Sequence, residues 1–576
     1  MRYVVIGTLL ILGAPTWSAA ITSSTLRSVI QAYDRVASIQ DPVRAGSRGD
    51  PDALGRWPDD AQSQVSARVR ELRKLHDTLN GSPEGLTAEE ILTLELLRQR
   101  LEMAIEGSRF DEERIPFQNG EGFYTLPEST ATTTSIRSEA DARAWIQRLR
   151  GIPAYFRIET QNMRRGIATK FTQPRIIVET AIRAIGGLAD ESPEKSALLL
   201  PFDTSGGEID ATRRTALRAE AITVIRDIVR PAQRELLVFF TKEYLPKARP
   251  NLGMRTVPDG DAYYSYLVRF HTTTTLSPDG VFELGTREVA RVHGEMEGLQ
   301  RKIGFSGTLP EFIASLRSNP RFYASNAEDL REKVSEILKR ADYQLPAWFK
   351  TLPRLTYGIM WKPPGLESIS SGYMPGSPEQ GVAGALVLDG ASAPRNPLYS
   401  LPSWAFHEGV PGHHLQIALA QERTDLPQFR RNDDVTAFVE GWALYSEKLA
   451  GEMGLYRDDY ERFGQLSMEM WRACRLVMDT GIHWKGWSYD QAAACLRENT
   501  GLSDYSIEGE TKRYIGWPGQ ALAYKLGELE ILRLRQKARD ALGPRFDIRE
   551  FHDRLLTDGP MPLSALERHI DQWLQR

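Results

Sequence analysis

The chain has 576 residues, of which 26% are charged, and its formal net charge is −4. A chain of this length can bury a large core, and its weakly acidic balance gives no electrostatic footprint for nucleic acid or an anionic membrane. We therefore expect no nucleic-acid partner.

The first residues have the pattern of a secretory signal peptide. Arg2 gives a positive start, residues 3–13 are almost wholly apolar, and the small residues Ser18, Ala19 and Ala20 suit cleavage after Ala20. The apolar run is short for a membrane span, which needs roughly 20 residues. We predict a signal peptide over residues 1–20, export to the periplasm or the medium, and no stable membrane insertion after cleavage. An uncleaved anchor is the alternative.

Amphipathic helical patterns occupy most of the remaining chain. Capping-box signatures at Thr87 with Glu90 and at Ser488 with Gln491 precede two apolar periodic runs. Similar periodicity occurs at residues 59–79, 138–150, 327–341 and 519–541. The sequence predicts a mainly α protein in which residues 21–576 form one domain, and two lobes around a cleft would fit.

Turn-forming residues interrupt the helical pattern at 125–138, 201–207 and 370–381, and we expect loops there rather than linkers between domains. The segment VAGALVLDG (382–390) is strand-like. The two cysteines, Cys474 and Cys495, each lie in an apolar helical context, which favours buried free thiols over a disulfide.

Residues 405–416, AFHEGVPGHHLQ, contain three of the nine histidines beside a glutamate. In an H-E-x-x-H zinc site, histidines at i and i+4 share a helix face and the glutamate activates a water. Here His407 is followed after six residues by His413 and after seven by His414. Neither spacing suits two ligands on one regular helix.

Pro411 resolves this conflict because it has no N–H to bond the carbonyl of His407, so a regular helix cannot continue through the segment. If residues 409–412 bulge out, His413 occupies the position of the second ligand. We predict His413 as the ligand, and His414 remains the alternative.

Glu440 is the predicted third ligand. It lies within the apolar run AFVEGWAL, and a carboxylate is seldom buried without a partner, for which a cation would serve. A salt bridge to an arginine is the alternative. Glu447, seven residues later, could accept a hydrogen bond from a ligand imidazole or pair with Lys448 or solvent.

Two histidines and one carboxylate leave a coordination position open for water, as hydrolytic zinc sites do. We therefore predict one Zn²⁺ ion held by His407, His413 and Glu440. Glu408 is the predicted general base, which takes a proton from the activated water and passes it to the leaving amine.

Four segments carry a resemblance to a known family. HEGVPGHHLQ, FVEGWALYSE, RLVMDTGIHWKGWS and RYIGWPGQALAYKLG, in that order, resemble the hallmark segments of the bacterial family called domain of unknown function 885. That family resembles a distant branch of the gluzincin metallopeptidases, alongside the thimet oligopeptidase and angiotensin-converting enzyme groups. The resemblance implies a large helical two-lobed fold with a deep central cleft and a small β element near the metal.

The resemblance also implies further site residues. His483 and Tyr524 match a late histidine and tyrosine that bind the oxyanion, and Asp479 is placed in sequence to orient the ring of His483. Tyr514 is a second candidate tyrosine. Tyr514 and Arg513 are predicted to bind substrate. One of Arg472, Arg475 and Arg513, which all lie in the late motifs, could hold a C-terminal carboxylate, and a solvated or salt-bridged helix face is the alternative for each.

By the same resemblance, residues 382–390 would form an edge strand that pairs with an extended peptide, with a structural hairpin as the alternative. We predict an exported zinc metallopeptidase that hydrolyses short peptides, as a carboxypeptidase or an oligopeptidase. A metallohydrolase of a non-peptide amide and an inactive peptide-binding protein of the same fold are the alternatives.

Overall fold

The computed structural model describes residues 20–203, 208–362, 371–432 and 434–575. The chain is 71% helical, which confirms the mainly α class. Apart from Ala20, the predicted signal peptide lies outside the described residues. Within the described ranges, no helix combines the length and the apolar character that a membrane crossing needs.

The α-helices are α1 (Ser23–Gln40), α2 (Pro42–Ser47), α3 (Gln62–Thr78), α4 (Ala88–Gly107), α5 (Leu126–Thr133), α6 (Glu139–Ala168), α7 (Arg175–Asp190), α8 (Leu200–Asp203), α9 (Ala211–Val224), α10 (Arg230–Phe239), α11 (Gly260–Thr272), α12 (Pro278–Ile303), α13 (Leu309–Arg317), α14 (Ala327–Trp348), α15 (Leu401–Glu408), α16 (His413–Glu422), α17 (Gln428–Arg431), α18 (Thr436–Glu452), α19 (Asp459–His483), α20 (Tyr489–Asn499), α21 (Asp504–Gly516), α22 (Ala523–Leu542), α23 (Ile548–Leu556) and α24 (Leu563–Leu574). The strands are β1 (Tyr357–Trp361), β2 (Gly372–Met374) and β3 (Gly384–Leu388).

The predicted amphipathic runs correspond to α3, α6, α14 and α22, and both capping boxes are present, at the starts of α4 and α20. The expectation of a loop over residues 125–138 is wrong, because α5 lies within it. Hydroxyl groups of this segment bond to carbonyls three or four residues earlier, as Thr130 does to Leu126, so they are satisfied inside the helix.

Cys474 and Cys495 form a disulfide, so the prediction of free thiols is wrong. The packing of α20 against α19 brings their Cα atoms to 5.7 Å, within the range that a disulfide requires. This proximity is a tertiary feature that the local apolar context of each cysteine does not encode.

The sheet has the strand order β1-β3-β2, with β3 parallel to β1 and antiparallel to β2. The strand predicted within residues 382–390 is confirmed as β3. Its predicted place at the edge of the sheet is wrong, because β1 and β2 occupy its two sides. β1 and β2 are therefore the two edge strands.

Helix α19 lies at the centre of the protein and is buried over almost all of its length from Phe463 to His483. It packs against α12, α15, α18, α20 and α22. One large hydrophobic cluster includes side chains of α6, α7, α10 and α19, and a second includes side chains of α14, α15, α18 and α22. The predicted division into two lobes around a cleft stays a prediction.

Helices α18 and α22 touch through their backbones at a pair of glycines. A Cβ atom on Gly527 would lie 1.9 Å from the carbonyl oxygen of Ala437, and one on Gly441 would lie 2.5 Å from the backbone of Gly527. Glu440 directly precedes Gly441, and Tyr524 lies three residues before Gly527. This contact therefore sets the spacing between Glu440 and Tyr524.

We expect Gly527→Ala to lower the free energy of unfolding by at least about 2 kcal/mol, because the added methyl group meets backbone atoms that cannot rotate away. Gly186→Ala in α7 is the matched control, since a Cβ there meets nothing within 4 Å. That change should be neutral or stabilise by about 0.5–1 kcal/mol. Denaturant titrations in which both variants have the wild-type midpoint would contradict the close contact.

Candidate metal centre

The helix break predicted from Pro411 is present: α15 ends at Glu408 and α16 begins at His413. Gly412 precedes α16, and a Cβ atom there would lie 2.0 Å from the carbonyl oxygen of His407. Only glycine fits this close approach, so the end of α15 and the start of α16 are brought together by a residue with no side chain.

His413 and His414 point in different directions, since consecutive residues of a helix are about 100° apart. The ring of His413 faces His407, with ring centroids 4.8 Å apart. His414 faces the sheet instead, where its Nδ1 atom lies 2.9 Å from the hydroxyl of Tyr373. The structure thus brings His413 to His407 and turns His414 away.

Both ring nitrogens of His414 are engaged. Tyr373 occupies Nδ1, and a backbone hydrogen bond with Leu355 engages the ring as well. Burial lowers the pKa of His414 to about 4 despite this backbone bond, so the ring is neutral at pH 7. No lone pair of His414 is left for a metal ion.

His407, His413 and Glu440 form a group of potential metal ligands in the described part of the chain. Glu440 Oε2 lies 3.5 Å from His407 Nε2 and 3.4 Å from His413 Nε2. These distances exceed the about 2.7–3.2 Å of a good hydrogen bond. Both are close to the about 3.3 Å that separates two ligands of a tetrahedral zinc ion with bonds of about 2.0–2.1 Å. The three ligand atoms all lie within 4.8 Å of one another.

The Glu440 carboxylate is a buried negative charge with one oxygen atom that lacks a partner in the part of the chain that the structure describes. Its Oε2 atom is buried and has no hydrogen-bond partner among the described residues. Burial would raise the pKa of Glu440, but the imidazoles of His407 and His413 lower it well below its ordinary value. A cation bound between these three side chains would satisfy the buried charge.

Glu447 orients His407, which is one of the alternatives that the sequence left open for it. Its Oε1 atom lies 2.8 Å from His407 Nδ1, and its Oε2 atom accepts a hydrogen bond from Ser403. Arg472 Nη2 lies 3.4 Å from Oε1, and the Glu447 side chain has no exposed area. This arrangement leaves His407 Nε2 directed at Glu440. His413 Nδ1 has no comparable partner among the described residues.

Glu408, the predicted base, is the last residue of α15 and directly follows His407. Its Oε2 atom accepts a hydrogen bond of 2.8 Å from the backbone N–H of Tyr373 in β2. Gly372 also adjoins this carboxylate, since a Cβ atom there would lie 3.5 Å from Oε2. The edge strand β2 therefore borders the site.

Tyr524 lies beside the metal-ligand candidates. Its ring is nearly parallel to that of His407, with centroids 6.4 Å apart and planes 13° apart. Its oxygen accepts hydrogen bonds from Arg513 at 3.1 Å and Gln520 at 3.4 Å, and the guanidinium carbon of Arg475 lies 4.1 Å from its ring centroid. Because Arg513 and Gln520 both donate to the Tyr524 oxygen, the hydroxyl hydrogen of Tyr524 remains available to donate a hydrogen bond of its own.

The structure does not place Tyr514 where a substrate would reach it. Its hydroxyl donates to Glu510 at 2.7 Å and accepts from Arg475 and Trp471, each at 2.8 Å. The side chain is only 1% exposed. Substrate binding by Tyr514 therefore stays a prediction that this geometry does not favour, because the hydroxyl bonds to Glu510, Arg475 and Trp471.

His483 is also not available for an oxyanion. Its Nε2 atom is bonded to the carbonyl of Tyr514 at 2.8 Å, and its Nδ1 atom accepts the N–H of Met254 at 3.1 Å. Burial lowers the pKa of this ring to about 3, so it is neutral and has no second proton to donate. Asp479 bonds to Tyr264 and Gly519 and does not orient the ring. The structure therefore does not bring His483 to the metal-ligand candidates, and its catalytic role stays a prediction that this geometry does not favour.

Two residues of the site were missed from the sequence. Tyr373 contributes a backbone N–H to Glu408, and no sequence pattern marks such a donor. Gln520 lies four residues before Tyr524, at the spacing of one helical turn, and that spacing was the available signal.

Comparison with known proteins relates the chain to proteins without an assigned function. A crystal structure of a "putative lipoprotein" from Colwellia psychrerythraea is similar, with a TM-score of 0.90, 26% identity, and coverage of 96% of this chain and 99% of that one. A structure of a "putative lipoprotein of unknown function" from Shewanella oneidensis has a TM-score of 0.70, 18% identity, and coverage of 94% and 99%. The second likeness shows the shared fold.

No curated protein matches the chain significantly. The family model of DUF885, described as bacterial proteins of unknown function, matches residues 42–570. The chain therefore belongs to the DUF885 family.

Proposed function

We propose that this protein is an exported zinc-dependent hydrolase that cleaves short peptides. The observation that carries the proposal is the position of the buried Glu440 Oε2 atom, 3.5 Å from His407 Nε2 and 3.4 Å from His413 Nε2, which suits two ligands of one ion better than hydrogen bonds. Glu408 directly follows His407, and its carboxylate can act as a general base beside these ligands. The resemblance of the motifs to gluzincin metallopeptidases supports the same reaction.

The side chains divide the chemistry between them. A zinc ion at this site, when bound, would act as a Lewis acid that lowers the pKa of water and polarises a carbonyl. Glu408 accepts a proton from the attacking water and passes it to the leaving amine. The Tyr524 hydroxyl donates a hydrogen bond to the oxyanion that develops on the substrate carbonyl. Arg513 and Gln520 fix the orientation of this hydroxyl.

Arg513 favours a substrate with a free C-terminal carboxylate. Its side chain is 28% exposed, and it donates a hydrogen bond to Tyr524. Its guanidinium carbon lies 5.7 Å from the ring centroid of the exposed Trp517. Its own acidic neighbours are Glu510, at 3.6 Å, and Glu121. Burial raises the pKa of Glu121, and the guanidinium of Arg513 opposes this rise. A partly exposed guanidinium beside Tyr524 suits bidentate binding of a C-terminal carboxylate, which favours carboxypeptidase action over internal cleavage.

Export is supported by three observations. The first twenty residues have the pattern of a signal peptide, and the disulfide between Cys474 and Cys495 is of a kind that persists in oxidising compartments. The similar structure from Colwellia psychrerythraea is described as that of a "putative lipoprotein", and lipoproteins are exported proteins.

Zinc binding tests the ligand assignment. We expect His413→Ala to lose stoichiometric zinc, because it removes a ligand nitrogen, and His414→Ala to retain it, because His414 bonds to Tyr373. Metal analysis after gel filtration against a zinc buffer measures both. Zinc loss in His414→Ala alone would reverse the assignment.

Substitution of the base tests the chemistry. Glu408→Gln should keep one zinc ion and lower kcat by about 10²–10⁴-fold, since general-base catalysis contributes that range. The rate is measured by mass spectrometry on a mixture of short peptides and on N-acyl amides. Cleavage of the amides alone would favour the non-peptide alternative. Zinc-loaded wild type that cuts neither would favour the inactive binding protein.

Paired substrates test the role of Arg513. We expect wild type to cleave a peptide with a free C-terminal carboxylate at least about 100-fold faster than its C-terminal amide, because the amide removes a charge-assisted bidentate contact. Arg513→Gln should lose this preference by slowing the free acid more than the amide; both substrates are slowed to some extent because the variant also loses the hydrogen bond to the Tyr524 hydroxyl. Lys512→Gln, which removes a charge on the same helix paired with Glu508, is the control and should keep the preference. Equal rates for acid and amide in wild type would show that Arg513 reads another feature.

A further inference from the structure

The proposed metal site uses His413 but leaves the adjacent His414 without a task. His414 is 2% exposed, and its ring lies between two tyrosines of the sheet, with centroids 4.2 Å from Tyr357 and 5.6 Å from Tyr373. We propose that His414 and Tyr373 are positioning residues, which hold the backbone of β2 and through it the carboxylate of Glu408. This inference rests on the proposed function, in which Glu408 is the base.

The first link is the hydrogen bond from the Tyr373 N–H to Glu408 Oε2, at 2.8 Å. Tyr373 is paired in register with Leu386 of β3, yet its N–H goes to Glu408, so it points away from β3. The Tyr373 N–H belongs to the backbone of a strand and has little freedom to move, so it fixes the position of Glu408 Oε2. Glu408 Oε1 has no hydrogen-bond partner among the described residues, so it is the oxygen left for a proton.

The second link fixes the strand itself. β2 has only three residues, Gly372–Met374, and pairs on one side only, so its ladder alone holds it weakly. The Tyr373 hydroxyl adds an anchor by bonding to His414 Nδ1 at 2.9 Å. This hydroxyl passes directly over Gly384 of β3, where a Cβ atom would lie 2.3 Å from it. The path to His414 is thus open only because residue 384 is glycine.

The two links tie the base to the metal ligands along a second route. Glu408 is joined covalently to His407 at the end of α15. Through Tyr373 and His414 it is also tied to α16, which carries His413. One helical turn thus presents a ligand to the proposed ion and an anchor to the strand that holds the base. The arrangement explains why two histidines follow the break.

Kinetics of the zinc-loaded full-length protein test the proposal. Tyr373→Phe and His414→Ala should each lower kcat about tenfold or more with KM and zinc content unchanged, because small misplacement of a catalytic group is costly. Their double variant should be no worse than either single one. His414→Gln, whose side-chain oxygen can accept the Tyr373 hydrogen bond, should recover part of the loss.

Tyr357→Phe is the matched control, because its hydroxyl bonds to Asp342 and its ring contact with His414 is kept. It should retain the wild-type kcat. In a Glu408→Gln background, Tyr373→Phe should cause no further loss, since the group it positions is gone; a merely structural tyrosine would slow both backgrounds alike.

Two results would overturn the inference while leaving the proposed function intact. One is a kcat for Tyr373→Phe that equals that of the Tyr357→Phe control. The other is that Tyr373→Phe lowers kcat by the same factor in the wild-type protein and in the Glu408→Gln variant. A wild-type protein that binds zinc and cleaves no substrate overturns the proposed function, and the positioning role with it.

Discussion

The arrangement around the site depends on an ionised carboxylate held inside a helical protein. Glu440 Oε2 lies between two imidazoles at distances too long for good hydrogen bonds, and no other donor reaches it among the described residues. Such a group costs free energy unless a positive charge completes it. The glycine contact between α18 and α22, the break between α15 and α16, and the bond from Glu447 to His407 all bring side chains toward this carboxylate.

The break between α15 and α16 shows how a metal-binding pattern survives a change in spacing. An uninterrupted helix would place ligands six residues apart on different faces. Here Pro411 ends the helix, and Gly412 lets the chain fold back against the carbonyl of His407. The second helix then starts with His413 directed at His407. The inserted residues alter the path of the backbone and leave the two ligand nitrogens close together.

Charged and polar groups behind the first layer hold the reactive side chains in place. Arg472 and Ser403 bind Glu447, which binds His407. Arg475 packs on the ring of Tyr524 and is itself held by Tyr514. These contacts are buried, so each is strengthened by the low local dielectric, and each fixes one rotamer of the site. Tyr514 belongs to this supporting layer.

Features encoded locally were predictable from the sequence, and features set by tertiary packing were not. The helix break at Pro411, the capping boxes and the Glu447–His407 pair follow from neighbouring residues or helical spacing. The two partners of His483, Met254 and the carbonyl of Tyr514, come from distant segments and could not be predicted. The position of β3 at the centre of the sheet and the disulfide likewise depend on which elements pack together.

Anomalous X-ray scattering at the zinc absorption edge, from crystals of zinc-loaded protein, tests the central claim most directly. We expect one strong peak bonded to His407 Nε2, His413 Nε2 and the Glu440 carboxylate, with bonds of about 2.0–2.1 Å. A stoichiometrically loaded protein whose peak lies away from these three side chains would contradict it.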